Sequence, residues 1–65
     1  MAVSWQVKAR AIEAVGKCIG PTERHVRATF DSLAPHERQA VRQYYHTAGD
    51  EGAIAKICRS HKIRR

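Results

Sequence analysis

The sequence predicts an all-α domain, a compact bundle of four short helices with a basic C-terminal tail. Apolar residues recur at helical spacings of three and four in four separate stretches of the 65 residues. Residues that cap or end helices stand between those stretches. The β-branched runs and strict apolar–polar alternation that strands require are absent from the sequence. Because every connecting segment is short, residues 1–65 are expected to form one domain.

The first helix is expected from Trp5 to Cys18. Ser4 precedes it, and its hydroxyl can accept a hydrogen bond from an unpaired backbone N–H group. Gly20 and Pro21 follow it, since glycine suits the left-handed end of a helix and proline blocks its continuation. One apolar face of this helix is expected to enter the core, and it comprises Trp5, Ala9, Ile12, Val15 and Ile19.

Three further helices are expected along the rest of the chain. The second runs from residue 21 or 22 to Ser32 with Thr22 as its cap, and the third from Pro35 to Thr47. The fourth runs from Glu51 to Ser60 after a glycine turn, with Asp50 as its cap. Their apolar residues are expected to complete the core: Val26, Phe30, Leu33, Ala40, Val41, Tyr44, Tyr45, Ala48, Ala53, Ile54, Ile57 and Cys58.

Positive charge is concentrated at the C-terminal end. The formal net charge is +6, from twelve Lys and Arg and six Asp and Glu residues. Residues 1–51 hold seven basic and six acidic residues, whereas residues 52–65 hold five basic and no acidic ones. Such a patch attracts phosphate groups of nucleic acids or acidic protein surfaces. The plainer alternative is a solvated basic tail that only keeps the protein in solution.

The sequence also predicts a cytoplasmic, reducing location. Two cysteines, Cys18 and Cys58, are too few for a disulfide framework, so both thiols are expected to be free. No stretch is long and apolar enough to span a membrane. The first residues lack the apolar segment of a secretory signal.

No residue pattern predicts catalysis, a metal or a cofactor. The four histidines have no nearby partner of the kind that general acid–base catalysis needs. Cys58 and His61 share a helix face, but Cys18 has no second ligand nearby, so the cysteines are expected to be small core residues rather than zinc ligands. We therefore expect a protein that is not an enzyme.

A helix, a glycine turn and a second helix succeed one another over residues 33–60. The notable residues are Leu33, Glu37, Arg38, Val41, Tyr44, Tyr45, Gly49 and the run Ala53–Ile57. This pattern resembles the helix-turn-helix in region 4 of sigma factors and in some phage antitermination proteins. It departs from the family near Arg59, where no turn glycine stands. It departs again near Lys62, where a recognition helix would begin but only a short basic tail stands. The resemblance therefore implies contacts with phosphates or RNA polymerase in place of base reading.

The sequence thus predicts a small basic transcription regulator, and a phage origin fits the resemblance. It is expected to bind RNA polymerase, another acidic protein surface or duplex nucleic acid, as a monomer or weak dimer and without membrane contact. The residues expected to make these contacts are Arg38, Arg42, Lys56, Arg59, Lys62, Arg64, Arg65 and Tyr45.

Two other functions remain open from the sequence. The protein could be a small adaptor subunit of a ribonucleoprotein or an organellar complex, with the first helix as its docking face. It could also be an inhibitor that binds a host protein and never contacts nucleic acid. Strong salt dependence of binding to duplex DNA would favour the transcription regulator over both.

Overall fold

A computed structural model describes residues 4–64 and confirms the predicted all-α fold. Its helices are α1 (Trp5–Cys18), α2 (Glu23–Ser32), α3 (Pro35–Tyr44) and α4 (Asp50–Ser60). They pack as a small bundle in which α1 contacts α3 most extensively, and α2 contacts both α1 and α4. No helix within the described range combines the length and apolar character needed to cross a membrane.

The first two helices begin at hydroxyl caps, as predicted. The Ser4 Oγ atom accepts a hydrogen bond from the Val7 N–H group at 3.3 Å. The Thr22 Oγ1 atom accepts one from the His25 N–H group, also at 3.3 Å. These bonds satisfy N–H groups that have no carbonyl partner inside the helix, and they fix where α1 and α2 start.

The connection between α3 and α4 differs from the prediction. The third helix ends at Tyr44 rather than at Thr47, and α4 begins at Asp50, which was expected to be its cap. The physical reason is that His46 adopts the left-handed backbone conformation, with φ of 57°. The Thr47 N–H group then donates to the Arg42 carbonyl oxygen at 2.9 Å, a bond that closes the end of the helix.

The segment after α4 folds back onto the bundle. Lys62 takes the same left-handed conformation, with φ of 53°, and the Ile63 N–H group donates to the Cys58 carbonyl oxygen at 2.9 Å. Ile63 also packs against the core. The Arg64 carbonyl oxygen accepts a hydrogen bond from the Glu23 N–H group at 2.6 Å. The segment that carries Lys62 and Arg64 is thereby anchored at the start of α2.

The core lies between the helices and largely follows the prediction for α2, α3 and α4. Phe30 and Ile54 are among its largest fully buried side chains. Tyr44 and Tyr45 are only half-buried, although both pack against the core, and Ala48 is exposed. The other predicted core residues of these helices are buried.

The prediction for the buried face of α1 is wrong. Trp5, Ile12 and Ile19 are 75%, 54% and 45% exposed, Ala9 is exposed as well, and of the predicted face only Val15 is buried. Small side chains allow two helices to approach closely and to exclude water along their contact. The residues that join Val15 in the core are accordingly small: Ala11, Ala14 and Cys18.

Two ion pairs connect helices that are distant in sequence. The Lys17 Nζ atom on α1 donates to the Glu37 Oε2 atom on α3 at 3.0 Å, and the Arg27 guanidinium on α2 binds both carboxylate oxygens of Glu51 on α4. Hydrogen bonds from Lys17 and from the Ala34 N–H group hold the pKa of Glu37 below its ordinary value. The hydrogen bonds from Arg27 likewise lower the pKa of Glu51.

Substitutions in the core should unfold the protein. Phe30→Ala and Ile54→Ala should each lower the free energy of unfolding by about 2–5 kcal/mol, because each leaves a cavity among buried side chains. Trp5→Ala is the control, and its effect should be less than about 0.5 kcal/mol because the indole is exposed. Urea denaturation followed by circular dichroism measures all three variants. A loss in Trp5→Ala as large as in Phe30→Ala would contradict the placement of α1.

Acid should destabilise the fold through the two ion-paired carboxylates. Glu37 and Glu51 have pKa values lowered from 4.5, so they stabilise the fold above that pH, and the stabilisation is lost as the pH falls through their folded pKa values. Replacing both by Gln should flatten the decline in melting temperature between about pH 5 and about pH 3. Glu13→Gln, at an exposed carboxylate outside the pairs, should keep the original decline. An unchanged decline in the double variant would show that other groups control acid unfolding.

Candidate functional site

The cations of the C-terminal end form an exposed surface. Lys56 and Arg59 lie one turn apart on the outer side of α4, while Lys62 and Arg64 follow the helix. All four side chains are exposed, and none takes part in the ion pairs formed between described residues. We refer to these four residues as the cationic surface. Arg65, the remaining basic residue predicted here, lies outside the described residues.

The acidic start of α4 is neutralised by arginines from the neighbouring helices. The Arg42 Nη1 atom on α3 donates to the Asp50 Oδ1 atom at 2.5 Å, and Arg27 on α2 binds Glu51. No acidic residue follows Glu51 in the sequence. The positive field of the cationic surface is therefore not offset by carboxylates farther along α4.

Part of the cationic surface borders a shallow cavity of about 270 Å³. Arg59 and Lys62 line it together with apolar atoms of Ala55, Cys58 and Ile63. The left-handed conformation of Lys62 ends the helix at this point, so that Ile63 turns inward while the two cations remain at the rim. The cavity thus presents positive charge beside an apolar wall.

Arg24 is a further cation that the sequence prediction missed. It is exposed at the start of α2 and borders an open cavity with Thr22, Glu23 and Arg27. The backbone bond between Arg64 and Glu23 attaches the C-terminal segment at this same place. No sequence signal indicates this proximity, because the residues lie at opposite ends of the last three helices.

Arg38 and Arg42, which were predicted to contact a partner, both make contacts inside the fold. The Arg38 Nη1 atom donates to the carbonyl oxygens of Leu33 at 2.5 Å and Asp31 at 3.3 Å, where α2 ends. Arg42 binds Asp50, and only 27% of its side chain is exposed. Each arginine therefore joins α3 to a neighbouring part of the fold.

Tyr45, which was predicted to contact a partner, is half-buried. It stacks edge-to-face on Tyr44, with ring centroids 5.0 Å apart and an interplanar angle of 76°. Burial raises the pKa of the Tyr45 hydroxyl, and a hydrogen bond with Ser60 opposes this rise. The ring thus connects the end of α3 to the end of α4.

A second exposed surface is apolar and lies along α1. Ile12, Val15, Gly16 and Ile19 line one side of a groove of about 280 Å³, and Trp5 lies nearer the start of the same helix. The other side of the groove is lined by Tyr44, Tyr45 and His61. The sequence analysis assigned the apolar α1 side chains to the core and named the first helix as a docking face only for the adaptor alternative.

Within residues 4–64, no group of three or more His, Cys, Asp or Glu side chains is placed to hold a metal ion. Cys18 and Cys58 are both buried. Burial raises the pKa of the Cys18 thiol to about 11, so it stays protonated and unreactive near neutral pH.

Comparisons with known protein families, with curated proteins and with solved structures give no match to this chain.

Proposed function

We propose that this protein is a small, non-catalytic transcription regulator that binds nucleic acid through the cationic surface. One contrast among its cations supports the proposal best. Lys17, Arg27 and Arg42 pair with carboxylates inside the fold. The four residues of the cationic surface are exposed and stand outside those pairs. Cations left in this arrangement are available to phosphate groups.

The arrangement favours contacts with the backbone over contacts with bases. Lys56 and Arg59 are carried by α4, and Arg64 is held by its backbone bond to Glu23, so the backbone beneath these charges is fixed. Cations that neutralise phosphates add affinity and orientation without reading the sequence of bases. The binding we propose is therefore steered by charge and depends strongly on salt.

The resemblance to sigma factors suggests the process that this binding serves. The two helices of the resemblance correspond to α3 and α4, and Ala53 and Ile54 lie in the core where these helices meet the bundle. An acidic surface of RNA polymerase is a second target that the same cations would accept. In either case the protein would act by occupying a site, with no reaction of its own.

An adaptor subunit is the second candidate function. It is favoured by Trp5, Ile12 and Ile19, which form an exposed apolar surface on α1. An adaptor that docks through α1 does not require affinity for nucleic acid. Salt-dependent DNA binding therefore separates the two candidates.

Binding to a labelled random-sequence DNA duplex should fall steeply with salt. Fluorescence anisotropy between about 50 and 200 mM salt should give a logarithmic slope of about −3 to −4, as expected for up to four phosphate contacts. Lys56→Ala and Arg64→Ala should each reduce the slope by about one. Lys8→Ala, an exposed cation on α1, is the matched control and should leave it unchanged. Absence of binding at the lowest salt would reject the proposal and favour the adaptor.

Lys62→Gly should separate binding from folding. Glycine relieves the left-handed strain at this position, so the melting temperature should rise, while loss of the charge should weaken DNA binding. Weaker binding in a more stable protein cannot be explained by unfolding. Unchanged affinity would remove Lys62 from the cationic surface.

Arg42→Met should lower stability and leave DNA binding unchanged, the opposite of the result expected for Lys62→Gly. Loss of the bond to Asp50 should lower the free energy of unfolding by about 0.5–1 kcal/mol, since the pair is partly exposed. The salt slope of DNA binding should stay unchanged. A reduced slope with unchanged stability would instead place Arg42 among the phosphate contacts.

A further inference from the structure

A narrow apolar seam runs along the exposed side of α1. Five residues form this seam, and successive ones are separated by four, three, four and three positions in the sequence. This is the heptad spacing that keeps two helices in contact along their length. All are exposed, so the bundle buries a different face of this helix. Bulky and small residues alternate along this α1 seam: Trp5, Ala9, Ile12, Gly16 and Ile19.

Gly16 is not required by the packing of a single copy. A Cβ atom built at this position meets nothing within 4 Å, and the glycine φ angle is not positive. Glycine inside a helix is less stable than alanine, so the isolated fold would gain from a side chain here. An exposed glycine does allow another chain to approach the helix backbone closely.

The groove beside Gly16 has the character of a pocket for an aromatic ring. It measures about 280 Å³ and is lined by aliphatic and aromatic side chains, among them Ile12, Ile19 and Tyr45. Trp5 lies eleven residues earlier on the same helix, about 16 Å away along the axis, and is 75% exposed. Tryptophan is strongly enriched among residues that dominate binding energy at interfaces. One helix therefore carries both an exposed indole and an apolar groove.

We propose that the α1 seam pairs with the α1 seam of a second copy in an antiparallel dimer. About a twofold axis near the middle of the seam, Trp5 of each copy lies over Gly16 of the other, and Ile12 lies over Ala9. Trp5 and Ile12 of each copy then meet a small residue of the other, the condition for close interdigitation of two helices. Because the contact is reciprocal, it closes after two copies and leaves neither groove open.

The charges beside the seam are compatible with this register. Lys8 of one copy lies near the uncharged Val15 of the other, and Gln6 lies near Glu13. No two like charges face each other in this arrangement. The alternative registers lose either the Trp5–Gly16 contact or the match of bulky with small residues.

The dimer should be weak and concentration-dependent. A contact of about 600 Å² from each copy, at the low end for specific interfaces, would cover roughly an eighth of the 4522 Å² accessible surface. The cationic surface lies outside the α1 seam, so a dimer would present two copies of it. Failure of DNA binding would not affect the dimer, and failure of the dimer would not affect DNA binding.

Tryptophan emission tests the proposal directly, because Trp5 is the single tryptophan of the chain. As the protein concentration rises from about 1 µM to about 1 mM, which spans weak complexes, the emission should shift to shorter wavelengths as the indole leaves water. Sedimentation velocity should show a monomer converting to a dimer over the same range. A monomer with unshifted emission throughout would overturn the proposal. The apolar surface of α1 would then be explained by docking on an unrelated protein.

Two variants of Gly16 separate dimer formation from folding. Gly16→Leu should block the groove and weaken the dimer at least about tenfold, or about 1.4 kcal/mol. Gly16→Ala should raise the melting temperature of the dilute monomer while weakening the dimer. Ala28→Leu, which adds the same bulk at an exposed position on α2, is the matched control and should dimerise normally. Normal dimerisation of Gly16→Leu would overturn the proposed contact.

Mixing two defective variants tests whether the contact is between copies. Trp5→Ala retains the groove but has no tryptophan, whereas Gly16→Leu retains Trp5 but has no groove. Each should be monomeric alone, and a mixture should recover one of the two reciprocal contacts. Adding Trp5→Ala to Gly16→Leu should then shift the emission of the second protein to shorter wavelengths. An emission unchanged by mixing would reject the reciprocal Trp5–Gly16 contact.

Discussion

Close packing of α1 against α3 is the contact on which the rest of the arrangement depends. Ala11, Ala14 and Cys18 are small enough to let the two helices approach, and all three are fully buried. That choice of face turns Trp5 and Ile12 outward. The packing of α1 on α3 therefore builds the core and also leaves an apolar surface exposed for association.

The charges of α4 also fall into two groups, carboxylates that are paired within the fold and cations that face solvent. Arginines from α2 and α3 bind the carboxylates at the start of α4, and these bonds add to the core contacts that Ile54 and Ile57 make. Because the acidic residues of α4 are engaged there, the cations beyond them are the charges that α4 presents to solvent. The pairing of these carboxylates thus leaves the cations that follow them unopposed on the surface of α4.

Backbone contacts hold the segment that carries Lys62 and Arg64 against the bundle. His46 and Lys62 close α3 and α4 in the left-handed conformation, at positions where glycine is more usual. Ile63 then enters the core and Arg64 reaches the start of α2. A basic segment held in this way loses less conformational freedom on binding than a free tail would. It also shares one end of the molecule with Arg24, which is far away in the sequence.

The sequence alone determined the helical class, the caps of α1 and α2, and most of the core of the last three helices, because these depend on local spacing and cap chemistry. It also located the basic C-terminal residues. It could not decide which of two apolar faces of α1 is buried, since Trp5–Ile12 and Ala11–Cys18 are both at helical spacing. Only the tertiary structure decides this, because the buried face must match the surface of α3. The partners of Arg38 and Arg42 were likewise decided by contacts between helices, which no local pattern records.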